Sequence, residues 1–244
     1  LKALDIKTLS KSFGGLQAIY DISLEIEEGE RRVIIGPNGA GKTTLFNLIS
    51  GFIFPSNGHI SLLGRDVTNL SPHQRATLGL ARTFQVTNLF PKLTVFETIL
   101  LGVQAMKRFR YCFYRPAKTF REMILEVERF LEEWNLWEKK GIFIKNLSYG
   151  EQRQIEVIMA LAAKPRILLL DEPTAGLSQT ETAMVTSIIK NLPQEITTIL
   201  IEHDMDVAFG IAEKITVLHM GSILTEGFID QIKGNPKVSE IYLG

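Results

Sequence analysis

The sequence predicts an α/β fold, a largely parallel sheet with helices packed on its faces. Three observations predict it. Val33-Ile34-Ile35 and Ile167-Leu168-Leu169-Leu170 are short runs that are apolar at every position, the pattern of strands buried on both faces of a parallel sheet. Each run is followed downstream by a segment with helix start and stop signals, and strand–helix alternation of this kind marks α/β layering. The chain has 244 residues, 45% hydrophobic and 22% charged, enough to bury a large core without metal or disulfide support.

In chain order, Leu4 and Ile6 flank charged residues, and Ile22, Leu24 and Ile26 alternate with Ser23, Glu25 and Glu27. Both read as half-buried strands. Gly29 breaks the pattern ahead of the buried run at 33–35. A helix follows from about Lys42 to Ser50, stopped by Gly51, and His59 to Leu63 reads as a strand turned at Gly64. From Ser71 to Asn146 the chain is rich in helix formers, and Met123, Val127, Phe130 and Leu131 recur at helical spacing; this stretch reads as mainly helical. Beyond the strand at 167–170, Ser178 to Asn191 reads as a helix with Pro193 just past its end. Thr197 to Ile201 reads as a strand, Asp204 to Ala212 as a helix, and Ile215 to Thr225 as a hairpin around Gly221-Ser222.

Composition narrows the function. There are 27 Lys+Arg against 27 Asp+Glu, so no global positive field invites nucleic acid. Cys112 is the single cysteine, which suits a reducing compartment. Leu1 to Ser10 lacks the apolar stretch of a signal peptide, and no apolar run reaches the length of a membrane span.

Gly36-Pro37-Asn38-Gly39-Ala40-Gly41-Lys42-Thr43 fits G-x-x-x-x-G-K-[ST] in full, between a buried strand and a helix. Such a loop curls its backbone N–H groups around phosphate oxygens at a helix N-terminus. Lys42 would reach the β- and γ-phosphates, and the Thr43 hydroxyl would bind Mg²⁺. Asp171 ends the strand at 167–170, at the sheet edge where α/β folds bind ligands, and can hold the same Mg²⁺. Glu172 beside it is a candidate general base for water. His203 also lies at a strand end, where it could donate to a γ-phosphate; alone it is an ordinary solvated histidine. Gln85 alone carries no signal. Leu147-Ser148-Tyr149-Gly150-Glu151-Gln152 holds a capping box, Ser148 with Glu151, which should start a helix at Ser148. Ile155, Ile158, Met159 and Ala162 line one face of that helix. Its glycine-bearing N-terminus is a second place where an anion could sit.

These motifs, in this order, resemble the nucleotide-binding subunits of ABC transporters over essentially the whole chain. Residues 36–43 match the family's Walker A loop, 167–171 its Walker B strand, and 147–152 its signature, usually Leu-Ser-Gly-Gly-Gln. Ala175-Gly176-Leu177-Ser178 stands at the D-loop. The resemblance implies a P-loop NTPase (ABC ATPase) with a RecA-like core, an N-terminal antiparallel β subdomain and a helical subdomain at roughly residues 86–160, all within one nucleotide-binding domain spanning 1–244. It implies ATP and Mg²⁺ as ligands. Glu172, His203 and Gln85 would be catalytic, and Thr43, Gln85 and Asp171 would serve the metal. Nucleotide would be held by Phe13 (stacked on adenine, unless it is a core aromatic), Gly36, Pro37, Asn38, Gly39, Ala40, Gly41, Lys42, Thr43 and Thr44. Ser148, Tyr149, Gly150 and Glu151 would contact the nucleotide of a partner. Tyr149 departs from the signature's first glycine and Ser178 from the usual D-loop aspartate, which touches fine interface contacts; Ser178 still suits a helix cap, with Glu181 at the box position.

By the same resemblance, a second ATPase subunit pairs head to tail with this one, as a homo- or heterodimer. Two membrane permease subunits and, indirectly, an extracytoplasmic solute-binding protein complete the machine, at the cytoplasmic face of a bacterial or archaeal cell membrane. Gly79 to Gln85, Leu89 to Val95, Ile201 to Met205 and Glu240 to Gly244 are similar to branched-chain amino acid importer ATPases. Urea-importer and lipopolysaccharide-exporter ATPases share parts of the pattern. A soluble, non-transport ABC ATPase is the reading from another class; it needs long coiled-coil insertions or tandem domains, for which the chain has no room. Met106 to Arg121 interleaves six basic with five aromatic residues. It reads as a solvated loop and helix, with contact to anionic lipid or a permease as the alternative.

Overall fold

The computed structural model describes residues 1–83, 89–105 and 121–243. Gln85 and residues 106–120 of the basic–aromatic stretch therefore lie outside the described residues.

Two sheets organise the chain. β1 (Lys2–Phe13), β2 (Leu16–Glu27), β4 (Asn57–Leu62) and β5 (Arg65–Asp66) form an antiparallel sheet ordered β2-β1-β4-β5. The central sheet runs β10-β9-β3-β8-β7-β6, from β3 (Arg31–Ile35), β6 (Leu80–Arg82), β7 (Ile167–Asp171), β8 (Thr197–Ile201), β9 (Lys214–His219) and β10 (Ser222–Phe228). Its strands are parallel except β10, which returns antiparallel at the edge.

The continuous apolar runs do what their pattern predicts. Successive side chains point to opposite faces, so Ile34, Leu169 and Ile199 pack with the antiparallel sheet and with α1 (Lys42–Ser50). Val33, Ile35, Leu168, Leu170 and Leu200 pack on the other face. That face is covered by α5 (Tyr149–Ala162), α6 (Gln179–Lys190) and α7 (Met205–Ile211), which contribute Val157, Val185 and Val207. A third cluster joins α3 (Val95–Ala105) and α4 (Arg121–Glu133) to α5 through Val95, Ile99, Val127, Leu131, Ile155 and Ile158. α5 thus belongs to two cores. The single apolar face read from Ile155, Ile158, Met159 and Ala162 is only the half that meets α3 and α4; Val157 and Leu161 bury the other half on the sheet.

Among its described residues, the stretch from Ser71 to Asn146 is mainly helical, as expected, with a strand near its start. Its start holds α2 (Pro72–Thr77) and then β6, which pairs in parallel with β7. Three residues are too few to show a period of two, so the sequence could not separate β6 from its helical surroundings. α8 (Ile229–Lys233) and α9 (Pro236–Leu243) close the chain. Among the described residues, no helix is long and apolar enough to cross a membrane.

One buried cation fixes the end of α1. Arg75 is fully buried, and its guanidinium donates to the carbonyls of Leu48 at 2.6 Å, Ile49 at 2.7 Å, Leu70 at 3.0 Å and Thr68 at 3.1 Å. The first two are last-turn carbonyls of α1, which have no partner inside the helix. Burial pulls the Arg75 guanidinium down to about 10, yet it remains charged at neutral pH.

Candidate functional site

Register brings the carboxyl ends of three strands to one line. Ile34 stands beside Ile201, and Asp171 beside Ile201 on the other side. Consequently Gly36, the pair Asp171–Glu172 and the pair Glu202–His203 leave the sheet at the same edge. This is where an open α/β sheet offers its ligand crevice.

The glycine loop closes over that edge. Gly41 precedes α1 with φ of 101° and no side-chain cap, and a Cβ there would lie 2.8 Å from Ile19 Cδ1 and 2.9 Å from the Ala18 carbonyl. Only glycine therefore fits both the backbone angle and the space at this position. The first-turn amides of α1 are left open for an anion. Lys42 folds back along the loop and donates to the carbonyls of Gly36 at 2.7 Å and Pro37 at 3.0 Å. Burial lowers the Lys42 ammonium, against Glu172 and Asp171, which raise it. A phosphate in the loop would offer that buried cation a stronger partner than two carbonyls.

A cavity of about 640 Å³ opens here, lined by Phe13, Gln17, Asn38, Lys42, Thr43, Thr44, Glu172 and His203 among others. Phe13 is 48% exposed on its rim, so the alternative that it is a core aromatic does not hold. Lys11 Nζ lies 5.1 Å from the Phe13 ring centre. Ala18, Met220 and Gly221 also line the space; no motif flags them or Gln17, because the start of β2 and the β9–β10 turn reach the loop only in the fold.

Glu172 and His203 meet directly, with His203 Nε2 2.5 Å from Glu172 Oε1. Glu172 holds φ of 48°, a left-handed angle that costs a non-glycine residue about 1 kcal/mol or more. Its amide donates to the Ile201 carbonyl at 3.0 Å, which pins the strained turn to β8. Glu202, 2% exposed, ties the two strand ends together. One oxygen accepts the Thr174 hydroxyl at 2.9 Å, and the other faces the His203 amide at 3.3 Å. Burial pushes Glu202 up to about 7, against these hydrogen bonds.

Asp171 is 2% exposed, and one of its oxygens accepts from the Arg82 guanidinium at 2.8 Å. Arg82 also donates to Asn47 Oδ1 and Ser50 Oγ, both at 2.7 Å, and so joins β6 and β7 to α1. Burial nonetheless pushes the Asp171 carboxyl up, with Arg82 pulling against it. The other oxygen, Oδ1, is buried and meets no hydrogen-bond partner among the described residues. A buried carboxylate oxygen in that condition suits a cation or a cation's water, so Asp171 and the Thr43 hydroxyl fit Mg²⁺. Neither Arg82 nor Glu202 carries a sequence signal; each is a polar residue at the end of a strand.

The segment 148–151 sits elsewhere: none of its residues lines the phosphate cavity. Ser148 caps α5, accepting the Glu151 amide at 3.3 Å while Glu151 accepts the Ser148 amide at 2.8 Å. Glu151 is further paired with Lys139. Tyr149 is 40% exposed, and its hydroxyl accepts from Arg153 at 2.8 Å. The Gly150 amide and the Ser148 hydroxyl both donate to Glu181. Ser178 caps α6, as its box with Glu181 predicts.

Comparison with known proteins agrees with this geometry. The chain is 39% identical over 248 aligned residues to the high-affinity branched-chain amino acid transport ATP-binding protein BraF of Pseudomonas aeruginosa, covering 99% of this chain and 97% of BraF. It superposes with a TM-score of 0.89, at 30% identity and over 100% of its length, on 99% of an ATP-binding cassette of an ABC transporter in its ADP conformation. A dimeric ATP-binding cassette in a post-hydrolysis state, bound to ADP and phosphate, matches with a TM-score of 0.77 at 26% identity, over 93% of this chain and 98% of the cassette. The ABC transporter family matches residues 19–175, from β2 and the glycine loop to the turn after Glu172, so the chain that folds this phosphate edge belongs to the ABC transporter family as an ATP-binding subunit.

Proposed function

We propose that this chain is the motor ATPase of an importer for branched-chain amino acids or a related small polar solute, working as a dimer at the cytoplasmic face of a cell membrane beneath two permease subunits. One nucleotide-binding domain, 1–244, carries it, with the helical part at roughly 86–160. The substrate reading rests on the likeness to BraF across nearly both whole chains. The dimer reading rests on the separation of the two anion-binding helix ends, only one of which faces the phosphate cavity. A nucleotide in the glycine loop of one subunit would meet the Ser148–Glu151 segment of the other.

The chemistry follows from the strand ends. Residues 36–44 cradle the phosphates, with Lys42 turning from the Gly36 and Pro37 carbonyls onto them. Phe13 offers its exposed ring to the base. Thr43 and Asp171 would hold Mg²⁺, joined by Gln85, and the ion, when bound, would supply positive charge beside the phosphates. Glu172 takes the proton of a water as its oxygen bonds to the γ-phosphorus and the bond to the β–γ bridging oxygen breaks, giving ADP and phosphate. Before nucleotide enters, His203 Nε2 holds the Glu172 carboxylate; with ATP bound, that nitrogen turns from Glu172 to the γ-phosphate and leaves the carboxylate free to take the proton. ATP between the subunits closes the dimer, and hydrolysis lets it open, which moves the permeases.

The observation that carries the ATPase reading is the Glu172–His203 contact at the mouth of the glycine-loop cavity. Glu172→Gln should retain ATP binding by calorimetry and lose hydrolysis by about a hundredfold or more, leaving an ATP-bound dimer. Parental turnover in that variant would remove Glu172 from the role of base.

A further inference from the structure

Glu181 lies in the capping box that opens α6, but only half of its carboxylate caps. Oε2 accepts the Ser178 amide at 3.1 Å and the Ser178 hydroxyl at 2.8 Å. Oε1 reaches over to the start of α5, where it accepts the Ser148 hydroxyl at 2.9 Å and the Gly150 amide at 3.0 Å. The fit is close. A Cβ on Gly150 would stand 2.6 Å from Glu181 Cγ and 2.8 Å from Oε1, so glycine is what lets the carboxylate settle on that amide. Hydrogen bonds from Ser178, then Gly150 and Ser148, push Glu181 down to about 2, so it is ionised at any physiological pH. An anion is therefore already seated on the signature donors. A phosphate oxygen would ask for the same hydroxyl and the same amide, and two anions cannot share them.

We propose that Glu181 is an internal competitor for the phosphate site of the signature helix: its carboxylate holds the Ser148 and Gly150 donors in the separate subunit, and the γ-phosphate of a nucleotide bound by the partner must displace it for the dimer to close. This rests on the shared-site reading above. Displacement needs only a side-chain rotation that frees Oε1, because the cap on Ser178 uses the other oxygen. The carboxylate sets the ATP concentration at which two subunits pair. Once the γ-phosphate has left, it reclaims its donors and favours separation, so ADP cannot keep the dimer shut.

Glu181→Gln separates the charge from the cap, since glutamine fills the same place in a capping box. On a Glu172→Gln background, ATP is titrated and the dimer fraction read by sedimentation velocity, with and without Glu181→Gln. A neutral amide is the weaker competitor, so the midpoint should fall by roughly five-fold or more, while unfolding temperature and ATP binding to the monomer stay as they were. Dimerisation only when Glu181 is replaced also supports the proposal. A midpoint that is unchanged or higher, or monomers in both proteins at saturating ATP, overturns it. Ser148→Arg on the same background tests the shared site itself: loss of the dimer upholds that reading whatever Glu181 does, and an unaltered dimer defeats it. Raising salt should narrow the gap between the chains with and without Glu181→Gln, because the competing charge is exposed.

Discussion

Arg82→Met should both destabilise the fold and raise the demand for Mg²⁺. Arg82 and Asp171 are 7% and 3% exposed at their side chains and 2.8 Å apart. Removing one partner of such a pair strands a buried charge, at a cost of about 3–5 kcal/mol. Asn47 Oδ1 and Ser50 Oγ also lose their donor, worth about 1 kcal/mol together at partly wet positions. Methionine returns part of this by packing where the guanidinium now lies 5.7 Å from the rings of Phe46 and Phe52. The net loss is then about 3–4 kcal/mol, which for a chain of this length lowers the unfolding temperature by roughly 10 °C. The pH dependence gives a second reading. Burial already raises Asp171 above its ordinary value, 3.8, so its contribution is fully present below that value and is lost as pH rises through the folded one. Without Arg82 nothing nearby opposes the rise as strongly, the folded value climbs, and the loss extends to higher pH. Thermal unfolding at pH 5 and pH 8 should show the gap between parent and variant widening at pH 8, and ATPase assays should need more Mg²⁺. A loss below about 1 kcal/mol, or a gap that narrows with pH, would refute the account of Asp171 as a carboxylate held ionised by Arg82.

Three further outcomes are expected. Lys42→Ala removes the cation for the β- and γ-phosphates and should weaken ATP binding about tenfold to a hundredfold by calorimetry, with unfolding temperature little changed because its present partners are two carbonyls. Phe13→Ala should raise the half-saturating ATP concentration several-fold and leave the rate at saturation near the parental one, since stacking on a base is worth about 1–3 kcal/mol and does no chemistry; an equal loss of rate at saturation would assign Phe13 another role. Glu202 rises from 4.5 to about 7, so it contributes stability below pH 4.5 that drains away up to about pH 7, on the order of 3 kcal/mol; Glu202→Gln should flatten that part of the stability curve measured by denaturant titration.

The sequence shows what depends on neighbours along the chain and hides what depends on neighbours in space. The strands around 33–35, 167–170 and 199–201 were legible because burial on both faces leaves every one of those residues apolar. The caps at Ser148 and Ser178 were legible because a capping box is complete within four residues. β6 was not, since three residues at a sheet edge carry no period. Phe13 could be read either as core or as site, and only its exposure at the cavity rim separates the two. Arg82 and Glu202 were silent, and Glu181 showed only its local cap, for one reason: each acts through a partner 28 to 89 residues away, and no local pattern announces such a pair.

These hidden residues also explain how the site tolerates its own strain. Glu172 sits in a left-handed backbone conformation, beside a buried carboxylate at Glu202 that would be cheaper protonated and an Asp171 oxygen with no hydrogen-bond donor among the described residues. Each feature costs stability, and all three lie within one line of strand ends. What holds them is the register of β3, β7 and β8, the Glu172 amide on the Ile201 carbonyl, and the Arg82 link to α1. None of those supports needs to move when a nucleotide enters, whereas Lys42, His203 and Glu181 each have a present partner that a phosphate can replace. The rigid supports and the exchangeable partners are therefore separate sets of residues. Substitutions that relax the strained edge, such as Glu202→Gln, should stabilise the chain near neutral pH and slow hydrolysis together, because they remove a buried charge and its repulsion of the Glu172 carboxylate rather than any contact to ATP.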